Sequence, residues 1–198
     1  MTYKSNIASH IKNHFQKSLS VLQDTLNSCS EDIIDASELL VHSVKEGNKI
    51  LIAGNGGSAA DAQHIAAELI IRLNKEIDRP AIPAIALTVD TSILTAGGND
   101  IGFENVFARQ VQGLGNEGDI FILISTSGNS RNLIKAAEMA RNRGLKTIGL
   151  LGSNGGELKN YCDRSIIIPG KETQHIQEAH LVVYHILCEN VETICYGS

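Results

Sequence analysis

The residues of this chain best suited to chemistry fall into a few clusters. Ser125-Thr126-Ser127-Gly128-Asn129-Ser130 places four side-chain hydroxyls in six residues, with no carboxylate among them. At the start of a helix, hydroxyl donors, free backbone N–H groups and the positive helix end together suit a phosphate. One hydroxyl is expected to cap that helix. A cap uses only one, so the surplus points to anion binding. No Gly-Lys-Ser/Thr follows, so this is not a P-loop. Gly54-Asn55-Gly56-Gly57-Ser58 is a similar loop and is not the GxGxxG dinucleotide fingerprint. Its glycines either share the anion-binding role or simply permit a tight strand-to-helix turn.

His64 and Glu68 are four residues apart, so on a helix both project from one face, about 6 Å apart along the axis. A His and a carboxylate one turn apart serve as metal ligands, as an acid/base couple, or as an exposed i,i+4 pair. Their neighbours Ile65, Ala66, Ala67 and Leu69 are apolar, which argues against a fully wet helix. Near the C-terminus, Gln177, Leu181 and His185 share a helical face within a drift of about 80°. Gln177 and His185 start about 12 Å apart along the axis, so one metal would have to lie between them. His180 is the competing ligand candidate, and a buried structural histidine is the alternative for either ring. Gly98-Asn99-Asp100 reads as a polar loop after a short helix, suited equally to sugar hydroxyls and to a helix cap.

The elements that must position these residues follow from periodicity. Residues 4–29 carry helical spacing through Ile7, Ile11, Phe15, Leu19, Leu22 and Leu26, and Ser30-Glu31-Asp32 predicts a cap before a second helix to about Val44. Short apolar runs then alternate with helical patterns: 49–53, 84–87, 119–124, 146–151 and 164–168, the last preceding a long helix to about Cys195. Continuous apolar strands alternating with helices mean strands buried on both faces, hence a three-layer, doubly wound α/β fold with about five parallel strands. Two helices lead and a long one closes the chain. Ligands of such sheets bind beyond the carboxyl ends of the strands, which is where the glycine and serine loops fall. The whole chain, 1–198, reads as one domain, with 1–46 as a helical segment suited to oligomerisation and 47–198 as the α/β core that carries the phosphate-suited loops.

Composition narrows the function. With 198 residues, 42% hydrophobic and 20% charged, the chain has room for one full core. No Trp, 4% aromatic residues and a net charge of −5 argue against a nucleic-acid partner. The longest apolar stretches are too short to span a bilayer, and the first 16 residues lack the apolar core of a signal peptide. The four cysteines form no CxxC and read as reduced thiols, so a cytoplasmic protein with no membrane partner is expected.

Taken in order, Gly54-Asn55-Gly56-Gly57-Ser58, Asp61-Ala62-Gln63-His64 with Glu68, Gly98-Asn99-Asp100-Ile101-Gly102-Phe103, the serine loop, and Ile176-Gln177-Glu178 with His180 and His185 resemble the sugar isomerase (SIS) fold, and within it the phosphoheptose isomerases. The resemblance covers nearly the whole chain. It implies interconversion of sedoheptulose 7-phosphate and D-glycero-D-manno-heptose 7-phosphate, at the start of ADP-heptose synthesis for lipopolysaccharide. It further implies a cytoplasmic homotetramer with sites at subunit interfaces and one Zn²⁺ per subunit. Carried onto this chain, Ser125, Thr126, Ser127 and Ser130 hold the phosphate, and Asn55, Gly56, Gly57, Ser58, Asn99 and Asp100 contact the sugar. His64, Glu68, Gln177 and His185 are the zinc ligands. Glu68 and His185 also move protons, and Glu68 and Gln177 also touch substrate.

One departure stands three residues before the glutamine, where relatives carry an acid and this chain has Gln174. The rival reading is a non-catalytic SIS-fold protein that associates with the replication initiator and shares Asn129-Ser130-Arg131. A pure binding module has no use for an ionisable pair such as Glu68 and His185 on apolar helices, which favours the enzyme.

Overall fold

Five apolar runs become the strands of one parallel sheet in a computed structural model that describes residues 3–197. They are β1 (Ile50–Gly54), β2 (Ala84–Ala86), β3 (Ile120–Ser125), β4 (Lys146–Gly152) and β5 (Arg164–Ile168). The helices are α1 (Tyr3–Lys45), α2 (Gly57–Ile70), α3 (Thr91–Asp100), α4 (Val106–Leu114), α5 (Arg131–Asn142) and α6 (Thr173–Tyr196). Strand order is β2-β1-β3-β4-β5, with Ile50 opposite Ile120 across β1 and β3.

Alternation along each strand splits the core in two. Ile50, Ile52, Ile122 and Ile148 face α1, α2 and α6. Leu51, Ala53, Phe121 and Leu123 face α4 and α5, where Phe107, Val111, Leu133 and Ala137 meet them. Side chains successive in a strand point to opposite faces, so a strand covered on both sides must be apolar throughout. β1 and β3 are buried along their whole lengths.

The expected pair of leading helices is one continuous helix of 43 residues. Ser30 does not cap anything: its Oγ donates back to the Leu26 carbonyl at 2.5 Å, as Ser28 Oγ does to Asp24 at 2.8 Å. A serine hydroxyl that bonds the preceding turn is compatible with a helix interior. No Gly or Pro interrupts the chain before Gly47, whose φ of 79° ends the helix. Thr25, Cys29, Ala36, Leu40 and Val44 of its C-terminal half are buried. Farther toward the N-terminus, Ile7, Ile11, Phe15 and Leu19 are exposed.

Where α1 crosses the start of α6, Glu178 accepts a hydrogen bond from Ser18 and contacts His14 and His175. Burial pushes the Glu178 carboxyl up, but these hydrogen bonds outweigh it and hold the group at about 2. All four cysteines are free. No helix among the described residues is long and apolar enough to cross a membrane.

Candidate functional site

In a 2-1-3-4-5 sheet the chain reverses its winding between β1 and β3, and the crevice there is where ligands bind. Both small-residue loops open at that crevice. β1 runs into α2 through Gly56, which sits at φ 58° and offers no side-chain cap. β3 runs into α5 through the serine loop. Ser130 occupies the α5 cap position but makes no side-chain cap hydrogen bond, contrary to the expectation that one loop hydroxyl caps the helix. Instead the hydroxyls turn toward one another: Ser125 Oγ lies 3.4 Å from Ser127 Oγ and 3.3 Å from Ser130 Oγ. The backbone N–H of Gly128 donates to Ser125 Oγ at 3.1 Å, and that of Asn129 to Ser127 Oγ at 3.2 Å. Three hydroxyls thus cluster beside a helix start whose first N–H groups lack a side-chain acceptor, a ready anion cradle.

The loop is braced from behind. Gly128, at φ 64°, packs so tightly on Gly155 and Gly156 that a Cβ there would collide with their backbone. Leu158 N–H donates to the Gly128 carbonyl at 2.8 Å.

Two turns along α2 stands the ionisable cluster. His64 Nε2 is 2.9 Å from Glu68 Oε1. The His185 ring approaches His64 edge to face, 5.0 Å between centroids. One ligand atom from each of His64, Glu68 and His185 lies within 4.8 Å of the others. Tyr184, almost fully buried, places its hydroxyl 2.9 Å from His64 Nδ1, and burial pushes its pKa up. With Nδ1 engaged by the hydroxyl, Nε2 is the nitrogen turned toward Glu68. Two imidazoles and one carboxylate converging in this way match the donor set of zinc.

Gln177 lies on α6, eight residues before His185. Its amide packs against Gly57, where a Cβ would strike it, at the first residue of α2 and seven residues from His64, about 10 Å of helical rise. His180 stands outside the three-residue cluster, with its Nδ1 buried and without a hydrogen-bond partner among the described residues. It is fully buried, its Nε2–H donates to the Leu151 carbonyl at 3.0 Å, and burial lowers its pKa to about 4. Asn55 is engaged in a reciprocal amide pair with Asn132, at 3.0 and 2.8 Å. Asn99 and Asp100 form the last turn of α3 rather than a loop, and Asn99 donates to Asp100 Oδ1 at 2.7 Å.

Sequence reasoning assigned no role to three residues of this region. Asn132 and Tyr184 are fixed by partners far away in the chain, which no local pattern reveals. Asp61 did carry a signal, three residues before His64. Its Oδ2 is buried without a hydrogen-bond partner among the described residues, and burial, opposed by His64, pushes the carboxyl up to about 6.

Comparison with known proteins gives the chain a family. A family model described as SIS domain matches residues 13–152. The phosphoheptose isomerase of a Nitratiruptor species is 52% identical over 183 residues, covering 90% of this chain and 97% of its own. That of Aneurinibacillus thermoaerophilus is 51% identical, covering 96% of each. Among solved structures, phosphoheptose isomerase from Francisella tularensis superposes with a TM-score of 0.89 at 38% identity, over 98% of this chain and 100% of that one. The Neisseria gonorrhoeae enzyme gives 0.88 at 39%, over 94% and 99%.

Proposed function

Because this chain belongs to the phosphoheptose isomerases of the SIS-domain family, we propose that it interconverts sedoheptulose 7-phosphate and D-glycero-D-manno-heptose 7-phosphate in the cytoplasm, as the first step toward ADP-heptose. The convergence of His64, Glu68 and His185 carries this reading. The non-catalytic alternative is not favoured: relatives at about half identity are named phosphoheptose isomerases, and Glu68 and His185 lie in one cluster.

The residues divide the work as follows. Ser125, Thr126, Ser127 and Ser130, with the N–H groups opening α5, bind the phosphate. The loop of Asn55, Gly56, Gly57 and Ser58, together with Asn99 and Asp100, contacts the sugar hydroxyls. Glu68 and His185 carry the proton: one removes it from the carbon beside the carbonyl, and the enediol so formed is reprotonated at the neighbouring carbon. One carbon is oxidised as its neighbour is reduced, so no redox cofactor is consumed. His64, Glu68 and His185 would hold Zn²⁺, with Gln177 as the fourth donor that the family resemblance implies, and bound there it supplies a Lewis acid for the carbonyl and the enediolate oxygen. Tyr184 orients His64, and Asn132 fixes Asn55.

The exposed face of Ile7, Ile11, Phe15 and Leu19 supports self-association, and a homotetramer is the assembly we propose. It continues into an apolar groove between α1 and α6, about 490 Å³, lined by Leu26, Ile34, Val182 and Ile186.

The test is isomerisation of sedoheptulose 7-phosphate by purified protein, before and after chelation, coupled to a heptose kinase. Turnover lost on chelation and restored by Zn²⁺ supports the full reading. Turnover that survives metal removal keeps the isomerase and removes zinc from the chemistry. Inert protein under every metal, with pentose and hexose phosphates also untouched, overturns it.

A further inference from the structure

A second cluster of metal-binding donors lies where the N-terminal half of α1 crosses the first turns of α6. His14 Nε2 is 2.7 Å from Glu178 Oε1, and His175 Nδ1 is 2.9 Å from Glu178 Oε2. The two imidazole rings lie 4.5 Å apart between centroids. One ligand atom from each of the three residues falls within 4.8 Å of the others. Glu178 precedes His185 by seven residues, about 10 Å of rise, so this is not the cluster on α2.

We propose that His14, His175 and Glu178 form a second site for a first-row divalent cation, zinc foremost, which clamps α1 to α6. Two neutral imidazoles and a carboxylate are a three-ligand zinc set that leaves further positions for water or a small ligand. His175 is only 3% exposed, so packing holds its ring in place before any ion arrives. Its far nitrogen, Nε2, faces the Glu172 carboxylate at 3.6 Å, the outer carboxylate that orients metal-bound imidazoles. Ser18 Oγ, 2.7 Å from Glu178 Oε2 and 3.1 Å from His175 Nδ1, steadies the same carboxylate. An open cavity of about 640 Å³, lined by His10, His14, Lys17, Gln174 and His175, gives an ion its way in and room for the remaining ligands. Without an ion, the same groups hydrogen-bond to one another, which is the competing account of the cluster.

Metal stoichiometry separates the two accounts. The chelated, full-length protein is titrated with Co²⁺, followed by its d–d absorption, and with Zn²⁺, followed by elemental analysis after desalting. The wild type is expected to bind two equivalents per chain, and His64→Ala/His185→Ala to keep one, carried by the second cluster. Adding His14→Ala to that background removes the remaining equivalent or weakens it by more than about tenfold. His14 is half exposed, so this substitution leaves the fold intact, and circular dichroism checks it; His14→Gln is the milder control. A single wild-type equivalent that disappears in His64→Ala/His185→Ala overturns the proposal, as does an extra equivalent indifferent to His14. One equivalent lost with His14 but retained in His64→Ala/His185→Ala upholds it, and removes zinc from the catalytic cluster instead.

Discussion

Replacing Arg79 with Met should unfold this protein more readily than any surface change, and the structure sets the size of the effect. Arg79 and Glu192 are paired at 2.7 Å with side chains 0% and 1% exposed. Arg79 also donates to the backbone carbonyls of Glu68, Leu69 and Pro80, at 2.8, 2.8 and 2.9 Å. Glu192 accepts from the N–H groups of Leu73 and Asn74 at 2.9 and 2.8 Å. The pair therefore staples the segment after α2 to the last turns of α6. Arg79→Met strands a buried carboxylate, which costs about 3–5 kcal/mol. Glu192→Gln strands the buried Arg79 guanidinium and turns an amide NH₂ toward donors that the carboxylate oxygens now accept from, so it should cost a comparable amount, about 3–5 kcal/mol. In a chain of this length a loss of that size lowers Tm by roughly 6–20 °C.

The pH dependence sharpens the test. Burial pushes the Glu192 carboxyl up, but the N–H groups of Leu73 and Asn74 and the Arg79 guanidinium outweigh it and hold it below the usual range. An acid whose folded pKa is depressed contributes stability above its unfolded pKa, and that contribution is lost as pH falls through the folded value. In Arg79→Met the carboxylate protonates readily, so the gap between wild type and variant should close toward acid pH. Urea unfolding at pH 7.5 and at pH 4.5 measures both quantities. A cost below about 1 kcal/mol at neutral pH, or a gap that does not narrow in acid, would mean that water reaches Glu192 and would refute the argument.

Tyr184→Phe removes the hydroxyl at His64 Nδ1 and should weaken zinc about 10–100-fold in chelator competition; an unchanged affinity removes Tyr184 from the metal argument. Asp61 is an acid whose folded pKa is raised, so in chelated protein it withdraws stability as pH climbs from its ordinary value to about 6. Asp61→Asn should therefore gain Tm over wild type across that window and hold the gain above it, and parallel Tm curves would contradict the assignment. Ser125→Ala deletes the hydroxyl at the centre of the serine cluster and should raise KM for the sugar phosphate about 10–100-fold, with a smaller change in kcat. Phe15→Asp with Leu19→Asp puts charge on the exposed stripe of α1 and should dissociate the assembly in light scattering; an unaltered mass would move the interface elsewhere.

Much of this molecule is written in short stretches of its sequence. The strands were legible because both faces are covered, which leaves runs such as Ile50–Gly54 without a polar residue. The glycine and serine loops were legible for the opposite reason, as abrupt polar punctuation at strand ends. His64 and Glu68 were legible as a pair because four residues make one helical turn, and the structure joins them at 2.9 Å. Ser30-Glu31-Asp32 misled for an equally local reason: the same hydroxyl that begins one helix can bond the preceding turn of another, and only packing of α1 along α6 and β5 decides between them. The rest required the fold. Strand order brings the ends of β1 and β3 side by side, helix packing carries His185 to His64, and Asn132 reaches Asn55 from another layer. Periodicity and capping act between residues a few positions apart, so the sequence itself determines them. Convergence of donors depends on which faces are buried against one another, and that is decided by the tertiary structure.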